Sequence, residues 1–267
     1  MNLSYIQKYF SLDGRKAVVT GASSGIGQAA AIALANFGAE VALIGRNNKG
    51  LTATAEEIGK AGGKSTSYIV DVSRKEDVDA FFEKYRKEQG KLDIYVSNAG
   101  INIRKDVLQM AGNEFDTLMG TNFKGAWIGL KYAGNIMKEQ RSGSIVIVTS
   151  VNGLFPLPDQ GIYSTTKAAL QSLMQSMAAT LAPYGVRVNS FAPGCILTGI
   201  NRDIFSIKEI HDDKARKIPV GRLGNAMETG NIIATMVSDA YSFMTGSTIV
   251  ADGGELLRPA TYLGGEK

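Results

Sequence analysis

The sequence predicts an α/β fold, a doubly wound parallel sheet of about seven strands with helices on both faces. Three observations predict it: short β-branched runs alternate with segments of helical apolar spacing, glycines separate the two kinds of segment, and 44% of the 267 residues are hydrophobic. Such alternation favours parallel strands joined by right-handed crossovers. Ligands of these sheets bind beyond the carboxyl ends of the strands, so we expect functional residues there.

Strands and helices follow one another in the order that this fold requires. The predicted strands cover 16–20, 41–44, 65–70, 92–97, 145–149, 186–191 and 248–251. The predicted helices cover 25–36, 51–61, 73–89, 115–140, 164–182 and 227–238. Ser73 and Glu76 have the spacing of a capping box, which predicts that Ser73 caps the third helix.

Length and composition predict one domain, residues 1–267, that buries a full core. No apolar run approaches the roughly 20 residues of a membrane span. Residues 1–10 lack the apolar stretch of a secretion signal and Cys195 is the only cysteine, so we expect a cytoplasmic protein without disulfides. The 29 basic and 25 acidic residues are scattered, without the basic stripe of a nucleic-acid-binding protein. His211 is the only histidine, so we expect no metal.

A glycine-rich turn, TGASSGIG at 20–27, joins the first predicted strand to the first helix. Gly21, Gly25 and Gly27 let the backbone pass close to a pyrophosphate at the helix N-terminus. Their spacing resembles the T-G-x-x-x-G-x-G fingerprint of the short-chain dehydrogenase/reductase family, whose members transfer a hydride between a nicotinamide cofactor and a carbonyl or hydroxyl group. The resemblance therefore implies a Rossmann-type domain that both binds the dinucleotide and carries out catalysis.

The resemblance continues through most of the chain, and each match falls just after a predicted strand. In that family, the segments that match 71–72, 98–100 and 193–198 contact the adenine, support the central strand and the cofactor, and contact the nicotinamide, respectively. The expected cofactor contacts are Gly21, Ser23, Ser24, Gly25, Ile26, Gly27, Arg46, Asn47, Asp71, Val72, Asn98, Ala99, Gly100, Tyr163, Lys167, Pro193, Gly194, Ile196 and Thr198.

Four further matches, Asn122, Ser150, Tyr163 and Lys167, correspond to the family's catalytic tetrad. Tyr163 and Lys167 are four residues apart at the start of a predicted helix, so they share one face. A free tyrosine has a pKa of about 10, and a nearby ammonium lowers it, which makes Tyr163 a usable acid/base. We expect Ser150 to hydrogen-bond the substrate oxygen. By resemblance, Asn122 holds a water of a proton relay and Lys167 holds the nicotinamide ribose.

The residues after the second predicted strand indicate the choice of cofactor. An acidic side chain here normally holds the ribose 2′-hydroxyl of NAD and repels the 2′-phosphate of NADP. The chain has Gly45, Arg46 and Asn47 instead, and its next acid is Glu56. A guanidinium is available to pair with a 2′-phosphate, so we expect NADP(H) to be favoured over NAD(H). The alternative is that Arg46 is a solvated loop charge and either cofactor is accepted.

Arg104 gives the best indication of the substrate. The stretch NAGINIRKD at 98–106 is similar to one in gluconate 5-dehydrogenases and related keto-deoxy-sugar-acid dehydrogenases, which have an arginine here. A bidentate fork suits a sugar-acid carboxylate, and the alternative is a surface loop charge. We expect a small carbonyl or alcohol substrate that contacts Arg104, Ser150, Asn152 and Tyr163 beneath a lid around 198–220.

Two other functions stay open. A 3-oxoacyl-[acyl-carrier-protein] reductase uses the same tetrad, and Arg141 and Tyr184 stand at two positions that are basic there, so one of the two matches. A non-catalytic NADP(H)-binding sensor is the alternative of another class, and the intact tetrad argues against it. The helices predicted at 115–140 and 164–182 are those that pair in family dimers and tetramers, so we expect a homotetramer or a homodimer.

Overall fold

A sheet of parallel strands forms the centre of the protein, whose computed structural model describes residues 3–199 and 201–257. Its strands are β1 (Lys16–Thr20), β2 (Glu40–Gly45), β3 (Lys64–Ile69), β4 (Ile94–Ser97), β5 (Gly143–Val148) and β6 (Val186–Pro193). Two short strands, β7 (Ile196–Leu197) and β8 (Gly224–Asn225), pair with each other, and β9 (Thr248–Ala251) completes the sheet. The order across the sheet is β3-β2-β1-β4-β5-β6-β9, and all neighbours are parallel.

Helices cover both faces of the sheet. They are α1 (Leu3–Phe10), α2 (Gly25–Asn36), α3 (Asn48–Lys60), α4 (Lys75–Gln89), α5 (Gly112–Leu118), α6 (Ala126–Gln140), α7 (Gly161–Leu181), α8 (Arg202–Phe205), α9 (Lys208–Arg216) and α10 (Ala226–Val237). One buried cluster joins α2, α3 and α10 to the sheet, and a second joins α4, α6 and α7 to its other face. The predicted fold class, a doubly wound parallel sheet, is therefore confirmed.

Alternation along the strands explains the two layers. On β1, Ala17 and Val19 belong to the cluster under α2, whereas Val18 between them belongs to the opposite cluster. Both clusters are apolar, so these strands read as continuous hydrophobic runs. The strand order places β4 on one side of β1, and β2 and β3 on the other. The chain therefore changes direction in the sheet at the carboxyl end of β1, where this fold binds its ligands.

The structure adds α1, β7 and β8 to the predicted elements, and it departs from the predictions near the site in three further ways. Ser73 does not cap α4: its backbone and side chain both donate to Asp71 Oδ1, at 2.9 and 2.7 Å, and the helix begins after Arg74. The capping-box prediction is wrong because this nearer carboxylate engages Ser73. The helix predicted at 115–140 is interrupted by a π-helical segment, Met119–Gly125. The stretch 198–220, which lacks a clear apolar period, contains α8 and α9.

None of the helices in the described part of the chain has the length and apolar character needed to span a bilayer.

Candidate active site

The glycine turn lies at the carboxyl end of β1 and leads into α2. Gly21 and Gly25 have φ of 71° and 59°, the left-handed region that favours glycine. A Cβ on Gly27 would lie 2.3 Å from the Gly21 carbonyl oxygen, and one on Gly21 would lie 2.7 Å from Asn98 Nδ2. A Cβ on Gly25 would lie 3.2 Å from Thr198, so the turn also contacts the residue that follows β7. A side chain on any of these three glycines would therefore lie too close to neighbouring atoms.

Asn98 and Thr20 join the turn to the next strand of the sheet. The Thr20 hydroxyl oxygen accepts the backbone N–H groups of Asn98 and Ala99, at 2.9 and 3.0 Å. The Asn98 side chain donates in return to the Thr20 carbonyl at 3.0 Å. These bonds cross between the carboxyl ends of β1 and β4, where the strand order changes direction. They fix the predicted supporting residue, Asn98, against the glycine turn.

The α2 N-terminus fits an anionic group such as a pyrophosphate. Ser24 precedes the helix in an extended conformation and makes no capping hydrogen bond with its side chain. The first turn contains no acidic residue. The N–H groups of this turn therefore have no capping side chain and no neighbouring carboxylate, which favours an anion. Together with the glycine backbone, this is the cradle that the phosphates of a dinucleotide need.

Arg46 and Asp71 lie together after β2 and β3. The guanidinium is 3.5 Å from the Asp71 carboxylate, and the Arg46 side chain is 64% exposed. Burial raises the pKa of Asp71, but hydrogen bonds from Ser73 and the charge of Arg46 outweigh it and lower the pKa. A Cβ on Gly45 would lie 3.4 Å from both Ser23 Oγ and Leu51 Cδ2, so this glycine already packs closely against Ser23 and Leu51. Because the Arg46 guanidinium is exposed, it is free to bind an anion other than Asp71.

Two other predicted cofactor contacts after the strands have structural partners. The Asn47 side chain accepts the Gly50 N–H at 3.1 Å and caps α3, so its amide oxygen is already engaged. The Val72 carbonyl lies against the π-helical segment, where a Cβ on Gly125 would be 2.5 Å away. Ile26 packs against the buried cluster under α2. Asn47, Val72 and Ile26 therefore all contact other parts of the protein at the site. Their contacts with the cofactor stay a prediction.

Ser150, Tyr163 and Lys167 lie together beyond the end of β5. The Ser150 hydroxyl accepts the Asn152 N–H at 3.1 Å and is buried. Tyr163 stands in the first turn of α7, one turn before Lys167. Lys167 Nζ donates to the Val148 carbonyl at 3.0 Å and lies 5.7 Å from the centre of the Tyr163 ring. The predicted sharing of one helix face by Tyr163 and Lys167 agrees with this geometry.

The pKa values of Tyr163 and Lys167 differ from the expectation. Burial raises the pKa of Tyr163, and only its hydrogen bond with Ser150 lowers it, so the phenol is protonated at neutral pH. Burial also lowers the pKa of Lys167 to about 8. The expectation that Lys167 depresses the tyrosine pKa is therefore wrong for the protein alone, because burial is the largest effect on both groups. The protonated phenol is the form that gives a proton to a carbonyl oxygen.

Asn122 lies in the π-helical segment and is fully buried. Its side chain accepts the Ile101 N–H and donates to the Ile101 carbonyl, both at 2.8 Å, and it also donates to Thr166 at 3.3 Å. A Cβ on Gly100 would be 3.3 Å from Asn122 Oδ1 and 3.6 Å from Lys167 Nζ. Asn122 thus holds the loop after β4 against α7. The expected role of Asn122 in holding a water of a proton relay stays a prediction.

Arg104 lies in the loop after β4 and faces the segment before α7. Its Nε is 3.3 Å from Asp159 Oδ2, and both side chains are about half exposed. The Lys105 N–H donates to the Asp159 carbonyl at 2.7 Å, which holds the two loops together. Asn152, the other predicted substrate contact, donates to Gln160 Oε1 at 3.2 Å. Sequence reasoning missed Gln160, although it stands three residues before Tyr163 at the same end of α7.

The Pro-Gly loop after β6 is tied to the predicted lid and to the turn after β9. The Gly194 N–H donates to the Ala251 carbonyl at 3.0 Å, and the Cys195 N–H donates to Glu255 Oε2 at 3.2 Å. Glu255 also forms an ion pair with Lys214 of α9. Burial raises the pKa of the Cys195 thiol, while the charges of Lys214 and Arg104 oppose that change. Ile196 is buried in β7, and the Thr198 N–H donates to Asn201.

The comparisons with known proteins identify the family. Residues 21–255 match the family model described as enoyl-(acyl carrier protein) reductase. An L-rhamnose 1-dehydrogenase (NAD(P)(+)) of Azotobacter vinelandii is 37% identical over 89% of this chain and 94% of that protein. A tropinone reductase homolog of Arabidopsis thaliana, At2g29260, is 35% identical over 92% of this chain and 76% of that protein.

A solved structure agrees with these matches. The gluconate 5-dehydrogenase of Burkholderia cenocepacia J2315, in complex with NADP and tartrate, superposes with a TM-score of 0.88 at 29% identity, over 94% of this chain and 98% of that one. The chain therefore belongs to the short-chain dehydrogenase/reductase family. It is an oxidoreductase on a fold that binds a nicotinamide cofactor.

Proposed function

We propose that the protein is an NADP(H)-dependent oxidoreductase that interconverts a ketone and a secondary alcohol on a small polar substrate, a sugar acid or a related carbohydrate. The observation that carries this proposal is the convergence of Ser150, Tyr163 and Lys167 beside the loop that holds Arg104. The bound cofactor would supply or accept the hydride at the reacting carbon. The protein would supply the proton, the orientation and the charge stabilisation.

Tyr163 is the proton donor of this proposal. Its raised pKa keeps the phenol protonated at neutral pH, so it can donate to the oxygen of a carbonyl substrate. Ser150 lies within hydrogen-bonding reach of Tyr163 and would hold the same oxygen. Lys167 is buried between Val148 and the Tyr163 ring, where it would contact the nicotinamide ribose and return a proton toward the phenol. In the alcohol direction the same groups act in reverse.

The preference for NADP(H) is supported by the charges after β2. Gly45 has no acidic side chain to repel a 2′-phosphate, and Arg46, the next residue, is exposed. Arg46 pairs only loosely with Asp71, at 3.5 Å, so a phosphate with full charge would compete well for the guanidinium. We propose that Arg46 leaves Asp71 for the 2′-phosphate, while Asp71 and Val72 line the adenine.

The substrate class is supported by Arg104 and by the names of relatives. Arg104 is half exposed and its charge acts on Cys195 in the Pro-Gly loop, which supports a position on the substrate side of the site. Relatives are named for L-rhamnose and for gluconate, and the Burkholderia structure contains tartrate, a hydroxy acid. We propose that Arg104 exchanges Asp159 for the carboxylate of the substrate beneath the lid at 198–220.

A carrier-protein reductase is the second candidate, and one surface favours it. Lys138 and Arg141 both lie over the Tyr184 ring, at 4.6 and 5.7 Å from its centre. Two cations on one aromatic side chain form a site where an acidic carrier could dock. In this candidate, the same tetrad reduces a 3-oxoacyl thioester, and Arg104 has no carboxylate to hold.

Initial rates of NADPH oxidation separate the two candidates. We expect the purified protein to prefer 5-ketogluconate to an acetoacetyl thioester, and we expect Arg104→Ala to lose at least about tenfold in kcat/KM for the keto acid. Arg74→Ala is the control, because Arg74 is an exposed cation on the nucleotide side. A preference for the thioester would favour fatty-acid synthesis, and no oxidation of NADPH or NADH with either would contradict both.

The assembly stays a prediction. Phe115 and Trp127, at the start of α5 and α6, are 42% and 45% exposed, which is unusual for aromatic side chains of this size. Exposed apolar groups on these helices support a homodimer or a homotetramer. Light scattering of the purified protein tests this directly.

A further inference from the structure

Three side-chain amides from separate loops meet beside the proposed catalytic residues. Gln160 Oε1 accepts a hydrogen bond from Asn102 Nδ2 at 2.8 Å and another from Asn152 Nδ2 at 3.2 Å. Asn102 follows β4, Asn152 follows β5, and Gln160 immediately precedes α7. We call these three residues the amide cluster. Gln160 is its centre, because it is bonded to both of the others.

The amide cluster is connected to the group that would hold the reacting oxygen. The backbone N–H of Asn152 donates to Ser150 Oγ at 3.1 Å, so one residue contacts both Ser150 and Gln160. Gln160 is the residue immediately before α7, and Tyr163 stands in the first turn of that helix. Asn102 adjoins Ile101, whose backbone is held by Asn122. The cluster therefore borders the space where Ser150 and Tyr163 meet a substrate.

Gln160 has hydrogen-bonding capacity that the protein does not use. Gln160 is almost completely buried, with only 5% of its surface exposed. Both bonds to the asparagines use Oε1, and no partner within 3–199 and 201–257 accepts from Nε2. Nε2 is not one of the fully buried atoms without a partner among the described residues, so part of its surface is exposed. A buried amide normally satisfies its donors, so this nitrogen is suited to a ligand oxygen.

We propose that Gln160 Nε2 donates a hydrogen bond to a substrate oxygen on the carbon next to the reacting carbon. The substrate class is then a vicinal hydroxy ketone in one direction and a vicinal diol in the other. The inference rests on the proposed oxidoreductase function and narrows its substrate. Asn102 and Asn152 are positioning residues, because they hold Oε1 and so turn the nitrogen toward the substrate.

A hydrogen bond from Gln160 should affect the preference between substrates more than the rate of turnover. A site that is built to bond a hydroxyl discriminates against an analogue that lacks it, because the buried donor is then left unpaired. Proton transfer by Tyr163 does not involve Gln160. Loss of the amide should therefore reduce kcat/KM for hydroxylated substrates while leaving turnover of a simple ketone largely unchanged.

The test compares 2-hydroxycyclohexanone with cyclohexanone, which differ by one adjacent hydroxyl. We expect the wild-type protein to prefer the hydroxy ketone by about tenfold or more in kcat/KM. Gln160→Met keeps the length of the side chain and removes both of its hydrogen-bonding atoms, so the preference should fall at least about fivefold. Asn152→Ala, which removes one bond to Oε1, gives a second variant if Gln160→Met does not fold.

Gln171→Met is the matched control, because Gln171 lies in α7, the helix that Gln160 precedes, and donates to Thr248, away from the amide cluster. It should leave the preference unchanged. An unchanged preference in folded Gln160→Met and Asn152→Ala would overturn the inference and leave the reductase proposal standing. No oxidation of NADPH or NADH by the wild type with either ketone or with 5-ketogluconate would overturn both.

Discussion

The glycine turn after β1 and the lid at 198–220 both lie at the carboxyl edge of the sheet, but they are held in different ways. The turn is held by backbone approaches so close that a Cβ on Gly27 would lie 2.3 Å from a carbonyl oxygen. The lid is held by side chains, such as the ion pair of Lys214 with Glu255. Ile204 of α8, Ile210 of α9 and Ile207 between them are all exposed, so this part of the lid buries little apolar surface.

This difference explains why the two sides of the site differ in how much their sequences reveal. A backbone approach of that kind permits one residue type, so the glycine spacing is recognisable from the sequence alone. An ion pair or an apolar contact can be made by many combinations of residues. The nucleotide side should therefore be intolerant of small changes, and the lid should tolerate them, and four substitutions test this contrast.

The largest effect is expected for Gly27→Ala. The new Cβ would meet the Gly21 carbonyl oxygen at 2.3 Å and Asn98 Nδ2 at 2.4 Å, so the turn must distort. We expect a loss of about 3 kcal/mol of stability, from chemical denaturation, and at least about 100-fold weaker NADPH binding. Gly59→Ala is the control: a Cβ there meets nothing within 4 Å in α3, so that variant should gain about 0.5–1 kcal/mol. Tight NADPH binding by Gly27→Ala would contradict the expectation that the glycine turn tolerates small changes less than the lid does.

Arg46→Ala should change cofactor selectivity without affecting folding. The guanidinium is exposed and its pairing with Asp71 is loose, so its removal costs little stability. We expect KM for NADPH to rise about tenfold or more and KM for NADH to stay within about twofold. Arg74→Ala, another exposed cation close by, should change neither. Equal changes for both cofactors would mean that Arg46 does not recognise the 2′-phosphate.

Lys167→Met should alter how stability depends on pH. Burial lowers the pKa of Lys167 from 10.5 to about 8, so between these values the unfolded chain binds more protons than the folded one. Wild-type stability should therefore rise with pH in this window, relative to the variant, by up to about 1.4 kcal/mol per pH unit. Denaturation of both proteins without cofactor at pH 7, 8, 9 and 10 measures it. Parallel curves would show that Lys167 is not buried as a titrating cation.

The smallest effect is expected for Glu255→Gln in the lid contact. The amide oxygen can still accept the Cys195 N–H, while the ion pair with Lys214 is lost. Both side chains are partly exposed, at 20% and 26%, so we expect a cost of about 1 kcal/mol or less. KM for the keto acid should rise only a few-fold, because the lid loses one of several contacts. A loss as large as that of Gly27→Ala would contradict the contrast between turn and lid.

The fold could be predicted well because its strands are buried on both faces. Apolar runs fixed β1 and β9 to the residue, and α2 as well. By contrast, α9 has few apolar residues, and the ion pairs Lys208–Asp212 and Asp213–Lys217 along its surface hold it instead. Charged pairs of this kind stabilise a helix without giving it an apolar period. The sequence of the lid therefore shows no helical apolar period although the lid contains α8 and α9.

The contacts of the site that could be predicted are those in which one short sequence motif contains both interacting residues. Tyr163 and Lys167 lie on one helix, and their spacing predicts their proximity. The partners of Arg104 and Gln160 come from loops more than 50 residues away, Asp159 for the arginine and Asn102 for the glutamine. Burial likewise depends on the assembled fold, which is why the direction of the Tyr163 pKa shift could not be predicted from sequence.

The central claim is that Tyr163 gives its proton to the substrate while other residues hold the cofactor. Tyr163→Phe tests it most directly, in one preparation assayed twice. Initial rates of NADPH oxidation with 5-ketogluconate should fall by about 1,000-fold or more, while the dissociation constant of NADPH, from fluorescence titration, should stay within about threefold. A variant that keeps most of its turnover would contradict the account.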